Sequence, residues 1–101
     1  MGHMADVTVT HSPERERYVL TVDGEQAGYL DYVDEVDVRL LTHTVVHETH
    51  AGNGYAAVLT KAALDDVRDS GKKARAVCSY VAKYVVKHPE YADVVEVAAD
   101  R

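Results

Sequence analysis

The hydrophobic period of this chain changes from that of a strand to that of a helix at one place, the tripeptide Gly52-Asn53-Gly54. Before it, Arg17 to Val22 alternates, with Tyr18, Leu20 and Val22 on one face, and Asp23-Gly24 supplies the two-residue turn that hairpins prefer. The partner strand runs from about Ala27 to Val33. It is mostly apolar on both faces, which predicts a central strand covered on two sides. After the acidic turn Asp34-Glu35-Val36-Asp37 a third strand runs from about Val38 to His47. Its apolar phase slips at Leu40-Leu41, the pattern of a β-bulge there or of burial on both faces. Val7 to His11 is a candidate edge strand at the start.

Beyond the glycines, Ala56, Leu59, Ala63 and Val67 recur at helical spacing from Tyr55 to Ser70, opposite Lys61, Asp65, Arg68 and Asp69. Gly71 supplies the stop. Ala74 to Cys78 predicts a short strand, and Ser79 stands where it can cap a second helix that Pro89 ends at His88. The acidic, alanine-rich residues after Tyr91 predict a last helical turn or a frayed tail. The order is three or four antiparallel strands, a helix, a strand and a helix. This is an α/β (α+β) domain, with a right-handed crossover if the strands flanking the first helix lie parallel.

A chain of 101 residues holds one core, so residues 5–101 are expected to form a single domain, and Met1-Gly2-His3-Met4 reads as an expression remnant. A formal charge of −6 leaves no basic groove for a phosphate backbone, and no nucleic-acid partner is expected. The apolar runs fall far short of the roughly 20 residues that span a bilayer. With no basic-then-apolar start, neither a membrane nor a secretory address is expected. One cysteine cannot form an internal disulfide, which fits a cytoplasmic protein.

Gly52-Asn53-Gly54 lies where a strand gives way to a helix N-terminus, and there backbone N–H groups and the positive end of the helix dipole converge on a point suited to an anion. The same tripeptide also serves as a plain tight turn. His43, His47 and His50 raise the question of a metal. On a strand His43 and His47 share a face, but their Cβ atoms stand roughly 13 Å apart at the rise per residue, too far for one ion. No metal is expected.

The stretch Ala51-Gly52-Asn53-Gly54-Tyr55-Ala56 resembles the acyl-CoA signature of the GCN5-related N-acetyltransferases: Gln or Arg, two free positions, Gly, one free position, then Gly or Ala. Gly54 and Ala56 match, and Ala51 stands where Gln or Arg is expected. Cys78-Ser79-Tyr80-Val81 through Lys87-His88-Pro89-Glu90-Tyr91, with His43-Thr44-Val45, resembles the minimal single-domain branch of that superfamily.

The resemblance implies a reduced fold, a mostly antiparallel sheet with a strand-helix-strand acyl-CoA crossover and a second helix. It implies acetyl-CoA as acyl donor and an amine acceptor. Thr44, Val45 and Val46 then pair with pantetheine along a splayed strand, and Gly52, Asn53, Gly54, Tyr55, Ala56 and Ala57 hold the pyrophosphate. Cys78 faces the thioester, either as a nucleophile with His43 as its base or as a bystander to direct attack by the amine, with a main-chain N–H polarising the carbonyl. Tyr80 or Tyr84 protonates the departing CoA thiolate. An open acceptor face suits a protein or peptide amine, or a polyamine. Set against these roles, a lone Cys is also a small buried hydrophobe and a Tyr pair also packs. The rival from another class is a catalytically silent acyl-CoA-binding or interaction module.

Overall fold

The structure is a computed structural model that describes residues 5–96. The expected remnant at residues 1–4 and the end of the tail, residues 97–101, lie outside them. Five strands, β1 (Val7–Ser12), β2 (Arg17–Val22), β3 (Glu25–Asp34), β4 (Val38–Val46) and β5 (Lys73–Ala76), form one sheet in that order. All neighbours are antiparallel except β4 and β5, which are parallel and joined through helix α1 (Tyr55–Ser70). Helix α2 (Ser79–Lys87) follows β5. The expected mixed fold, mostly antiparallel with a strand-helix-strand crossover, is thus the observed one. No described helix is long and apolar enough to cross a membrane.

The hairpin turn forms where expected, Asp23 and Gly24 both taking positive φ, 51° and 84°, as a type I′ turn requires. One sheet face carries Tyr18, Leu20, Val22, Leu30, Tyr32 and Leu41 into a core completed by Leu59, Ala63, Leu64 and Val67 of α1. The other face departs from expectation, because β3 is central but not covered on both sides. Val33 is 47% exposed, and Tyr29 and Asp31 are half-buried beneath the Arg17 guanidinium, which lies 3.9 Å from the Tyr29 ring centroid and pairs with Asp31 at 2.6 Å. Gly28 is under a stricter constraint, since a Cβ there would collide with the Val45 carbonyl oxygen, and β3 can approach β4 at this level only through glycine.

The phase slip in β4 is a bulge, but at Thr42 rather than Leu40-Leu41. Leu41 pairs with Tyr32 and His43 with Asp31, leaving Thr42 extra, its hydroxyl donating to the Asp31 carbonyl at 3.1 Å. Before the bulge Arg39 and Leu41 point into the core; after it Val46 packs there, and Thr44 shares its parity. The slip runs opposite to the apparent one because an inward position holds an arginine, which hydropathy reads as outward.

Arg39 is only 6% exposed. Its guanidinium grips Asp34 with two hydrogen bonds of 2.7 and 3.0 Å, donates to the Tyr18 hydroxyl at 2.7 Å and to Asp66 at 3.1 Å, and lies 4.1 Å from the Tyr32 ring centroid. Tyr18 in turn donates to Asp66 at 2.7 Å, which ties β2, β4 and α1 together. Arg39→Leu leaves two carboxylates and a buried phenol without their cation, and is expected to cost about 2–3 kcal/mol. At roughly 4–8 °C per kcal/mol, the melting temperature falls by about 10–20 °C, read by circular dichroism. The hydrogen bonds from Arg39 hold the Asp34 carboxyl below its ordinary value. The folded state therefore binds fewer protons than the unfolded chain, so this stability is present above about pH 4 and is lost as pH falls through the folded value. Melts between pH 7 and pH 3 should fall steeply for wild type and less steeply for Arg39→Leu.

Candidate active site

Strands β4 and β5 stay together for only four pairs, Val38–Lys73 to Leu41–Ala76. The ladder closes on the Leu41 carbonyl, which accepts from the N–H groups of both Val77, at 3.1 Å, and Cys78, at 2.8 Å. The chain then turns into α2 while β4 runs on, paired only with β3. His47 N–H donates to Ala27 across β3 at 2.7 Å. By alternation the N–H groups of Thr44 and Val46 point to the side that β5 has left. No strand pairs with that edge, which is the segment assigned to pantetheine; the Thr44 N–H is turned to the Cys78 sulfur. Val45, between them, turns its side chain to the opposite face.

From Val46 the chain passes through a turn at Glu48–His50 into the glycine loop. Gly52 and Gly54 adopt φ of 85° and 74°, and a Cβ on either would meet nothing within 4 Å. Their glycine is required by backbone geometry, and the space before the loop is open. Gly54 is the N-cap of α1, with no side-chain cap and no acidic residue in the first turn, so the N–H groups of Tyr55, Ala56 and Ala57 lack helical partners. Asn53 is otherwise occupied: its amide donates to the His50 carbonyl at 3.0 Å and braces the loop.

Cys78 was expected at a strand end with Ser79 as cap. The strand instead stops at Ala76, and Cys78 itself holds the N-cap position of α2, with Ser79 exposed as the first helical residue. Its Sγ lies 3.4 Å from the Thr44 hydroxyl, across the gap between the separated strands. Half-burial pushes the thiol up, but the Thr44 hydroxyl and the N–H groups of Val81, Tyr80 and Thr44 favour the anion and bring it below its ordinary value.

The other expected site residues are not gathered around the sulfur. His43 is exposed, and as the neighbour of Thr44 along the strand it faces the opposite side of the sheet. Cys78 therefore has Thr44 beside it and not the expected base His43. Tyr84 is 8% exposed, stacked on His88 with ring centroids 4.0 Å apart, and its phenol is raised by burial. Tyr80, in the first turn of α2, is 38% exposed. Among the described residues neither phenol makes a hydrogen bond to Cys78. His50 lies 3.6 Å from Glu25, and no described group of three His, Cys, Asp or Glu side chains converges as metal ligands would. Reading single residues missed the doubled bond on Leu41, because nothing in a leucine marks its carbonyl.

A mostly antiparallel sheet whose last two strands are parallel and part after four pairs, with a glycine loop leading into the helix between them, defines an acetyltransferase type of fold. Residues 17–94 match the family model of the GCN5-related N-acetyl-transferases, and the chain belongs to that family. It is 34% identical over 92 residues to Protein NATD1 of Xenopus tropicalis, covering 88% of this chain and 84% of that protein. The fold is similar to the solution structure of a GCN5-like protein from Staphylococcus aureus, at a TM-score of 0.70, 20% identity, and coverage of 92% and 91% of the two chains. It is also similar to N-acetylglutamate synthase from Neisseria gonorrhoeae, solved with coenzyme A and N-acetyl-glutamate, at a TM-score of 0.52 and 21% identity, over 66% of this chain and 18% of that one.

The Cys78 surroundings carry a direct check. Iodoacetamide labelling followed against pH should show a midpoint below that of free cysteine. Thr44→Val, which keeps the shape but removes the hydroxyl, should move the midpoint up, whereas Thr44→Ser should leave it in place. A midpoint unmoved in Thr44→Val means that the hydroxyl does nothing for the thiolate.

Proposed function

We propose that the chain is an acetyl-CoA-dependent N-acetyltransferase in which Cys78 receives the acetyl group before an amine does. The observation that carries this reading is the free β4 edge from Thr44 to Val46, which has the uncapped α1 N-terminus at its outer end and Cys78 at its inner end. The donor supplies an acetyl group already activated as a thioester. Thr44 and Val46 offer main-chain groups that bind its pantetheine arm as a neighbouring strand would, and the N–H groups from Gly52 to Ala57 hold its diphosphate. Ala51 adds no side-chain cation, so affinity there rests on the backbone.

Cys78, as thiolate, attacks the thioester carbon, and the carbon–sulfur bond to CoA breaks as the new one forms. The oxygen that becomes negative is stabilised by the strand N–H groups of the splay. The acceptor amine then attacks the S-acetyl group, Cys78 leaves as thiolate again, and the amine loses a proton. Tyr80, nearer Cys78 along α2 than the enclosed Tyr84, is the better-placed phenol to protonate departing CoA. His43 lies on the open sheet face, where an incoming protein, peptide or polyamine has room. An amine attacking the S-acetyl group on the Thr44 side is out of reach of His43, so that amine gives its proton to solvent.

Native mass spectrometry with acetyl-CoA tests the reading, with a one-to-one adduct and an acetyl group on Cys78 as the expected species. Tight binding with no acetyl transfer or CoA release, even with amines added, assigns the silent module instead, and no binding removes both. At a hundredfold excess over its dissociation constant a native-state ligand adds about 2.7 kcal/mol, so the melting temperature should rise by roughly ten degrees or more. Gly54→Val, strained at positive φ and intruding on the cradle, should abolish that rise. Cys78→Ser should keep it and lose most turnover. Cys78→Ala turning over like wild type overturns the covalent route and leaves direct attack by the amine.

A further inference from the structure

A cavity of about 190 Å³ opens between the first turn of α1 and one face of α2, lined by Ala57, Tyr80, Lys83, Tyr84, Lys87 and His88. Lys83 and Lys87 stand four residues apart and so share that face. Neither meets a carboxylate among the described residues, whereas Lys61 on α1 is held by Asp65 at 2.8 Å. In a chain of formal charge −6, α2 carries two lysines and no acid. Glu90 lies 3.5 Å from the His88 imidazole, which leaves the two lysines as the unengaged cations of the cavity. Tyr84 and His88, stacked at 4.0 Å, give it an aromatic wall.

We propose that this cavity takes the adenosine end of the acyl-CoA ligand, with Lys83 and Lys87 binding the phosphate on its ribose, and so selects CoA over its dephosphorylated form. The inference rests on the acetyl-CoA reading of the glycine loop. Ala57 belongs both to the α1 turn that would hold the diphosphate and to the cavity wall, so a ligand seated on that turn has its nucleoside end within reach of α2. Outside the diphosphate, the ribose phosphate is the remaining phosphate of CoA. The loop from Ala51 to Ala57 contains no cationic side chain, so charge for this second anion has to come from another element. Lysines serve as point charges for a phosphate, and the aromatic wall suits a flat base.

Isothermal titration of the whole chain with CoA, dephospho-CoA and adenosine 3′,5′-bisphosphate tests this. Wild type is expected to bind CoA about tenfold more tightly than dephospho-CoA, the worth of one charge-assisted contact. The preference should shrink as salt is raised. The pair Lys83→Gln and Lys87→Gln should bind both at the dephospho-CoA level, and the bisphosphate should weaken in parallel. Lys72→Gln, which alters a lysine that donates to the Val36 carbonyl at 3.1 Å, should keep the full preference. Equal affinity of wild type for CoA and dephospho-CoA overturns the lysine assignment and leaves the acetyl-CoA reading standing, as does a preference that survives in the double variant. Failure of both ligands to bind overturns the two together.

Discussion

The Leu41 carbonyl is the point on which the site depends. By accepting the N–H groups of both Val77 and Cys78, it ends the β4–β5 ladder after four pairs and turns the chain away from the sheet. An unpaired strand edge is ordinarily a liability that proteins cover or charge. Here the free length is short, running only from Thr44 to Val46. Cys78 is at the N-cap of α2 because the separation happens where it does. Two more ladder pairs would carry Cys78 into β5 and away from the first amides of α2.

The bulge at Thr42 works with that separation. β4 has to bury Arg39 and Leu41 beside α1 and then turn Thr44 and Val46 to the same side, which a regular strand cannot do across an odd-to-even change. The extra residue resets the parity, and Thr44 consequently faces Cys78 while His43 faces away. Gly28 makes the same stretch possible from the other side, letting β3 close on Val45 and Val46 without a side chain between them. Core packing and site geometry are therefore settled by the same few backbone positions.

Local signals with a single reading were legible in the sequence. The bounds of α1, Tyr55 to Ser70 with Gly71 as C-cap, follow from a clean helical period and a glycine at φ 79°. Asp23-Gly24 marked its turn, and Pro89 marked the end of α2. The failures share a cause, since each involved a residue whose role is set by a distant partner. Arg39 points inward because Asp34, Tyr18 and Asp66 receive it, and hydropathy along β4 shows none of them. Ser79 is the better cap by residue type, yet Cys78 takes the position because Leu41 captures its N–H. The glycine loop and Cys78 were both visible, whereas their connection through the free edge of β4 is a property of the sheet.

The arrangement of charge bears on how so acidic a chain could hold an anion. In α1 the three carboxylates, Asp65, Asp66 and Asp69, all lie in the second half, where the helix dipole disfavours them. Partners offset much of that cost: Lys61 and the Tyr91 hydroxyl engage Asp65, and Arg39 and Tyr18 engage Asp66. The first turn, where a carboxylate would help the helix most, has none. Helix α2 repeats the pattern with no acid at all. At physiological salt, charges more than about 8 Å apart are largely screened, so the field near these two helix starts is set by what lies close to them and not by the net charge of −6. Keeping acids away from both starts forgoes some helix stability, leaving the first amides of α1 without a carboxylate and those of α2 to the Cys78 sulfur.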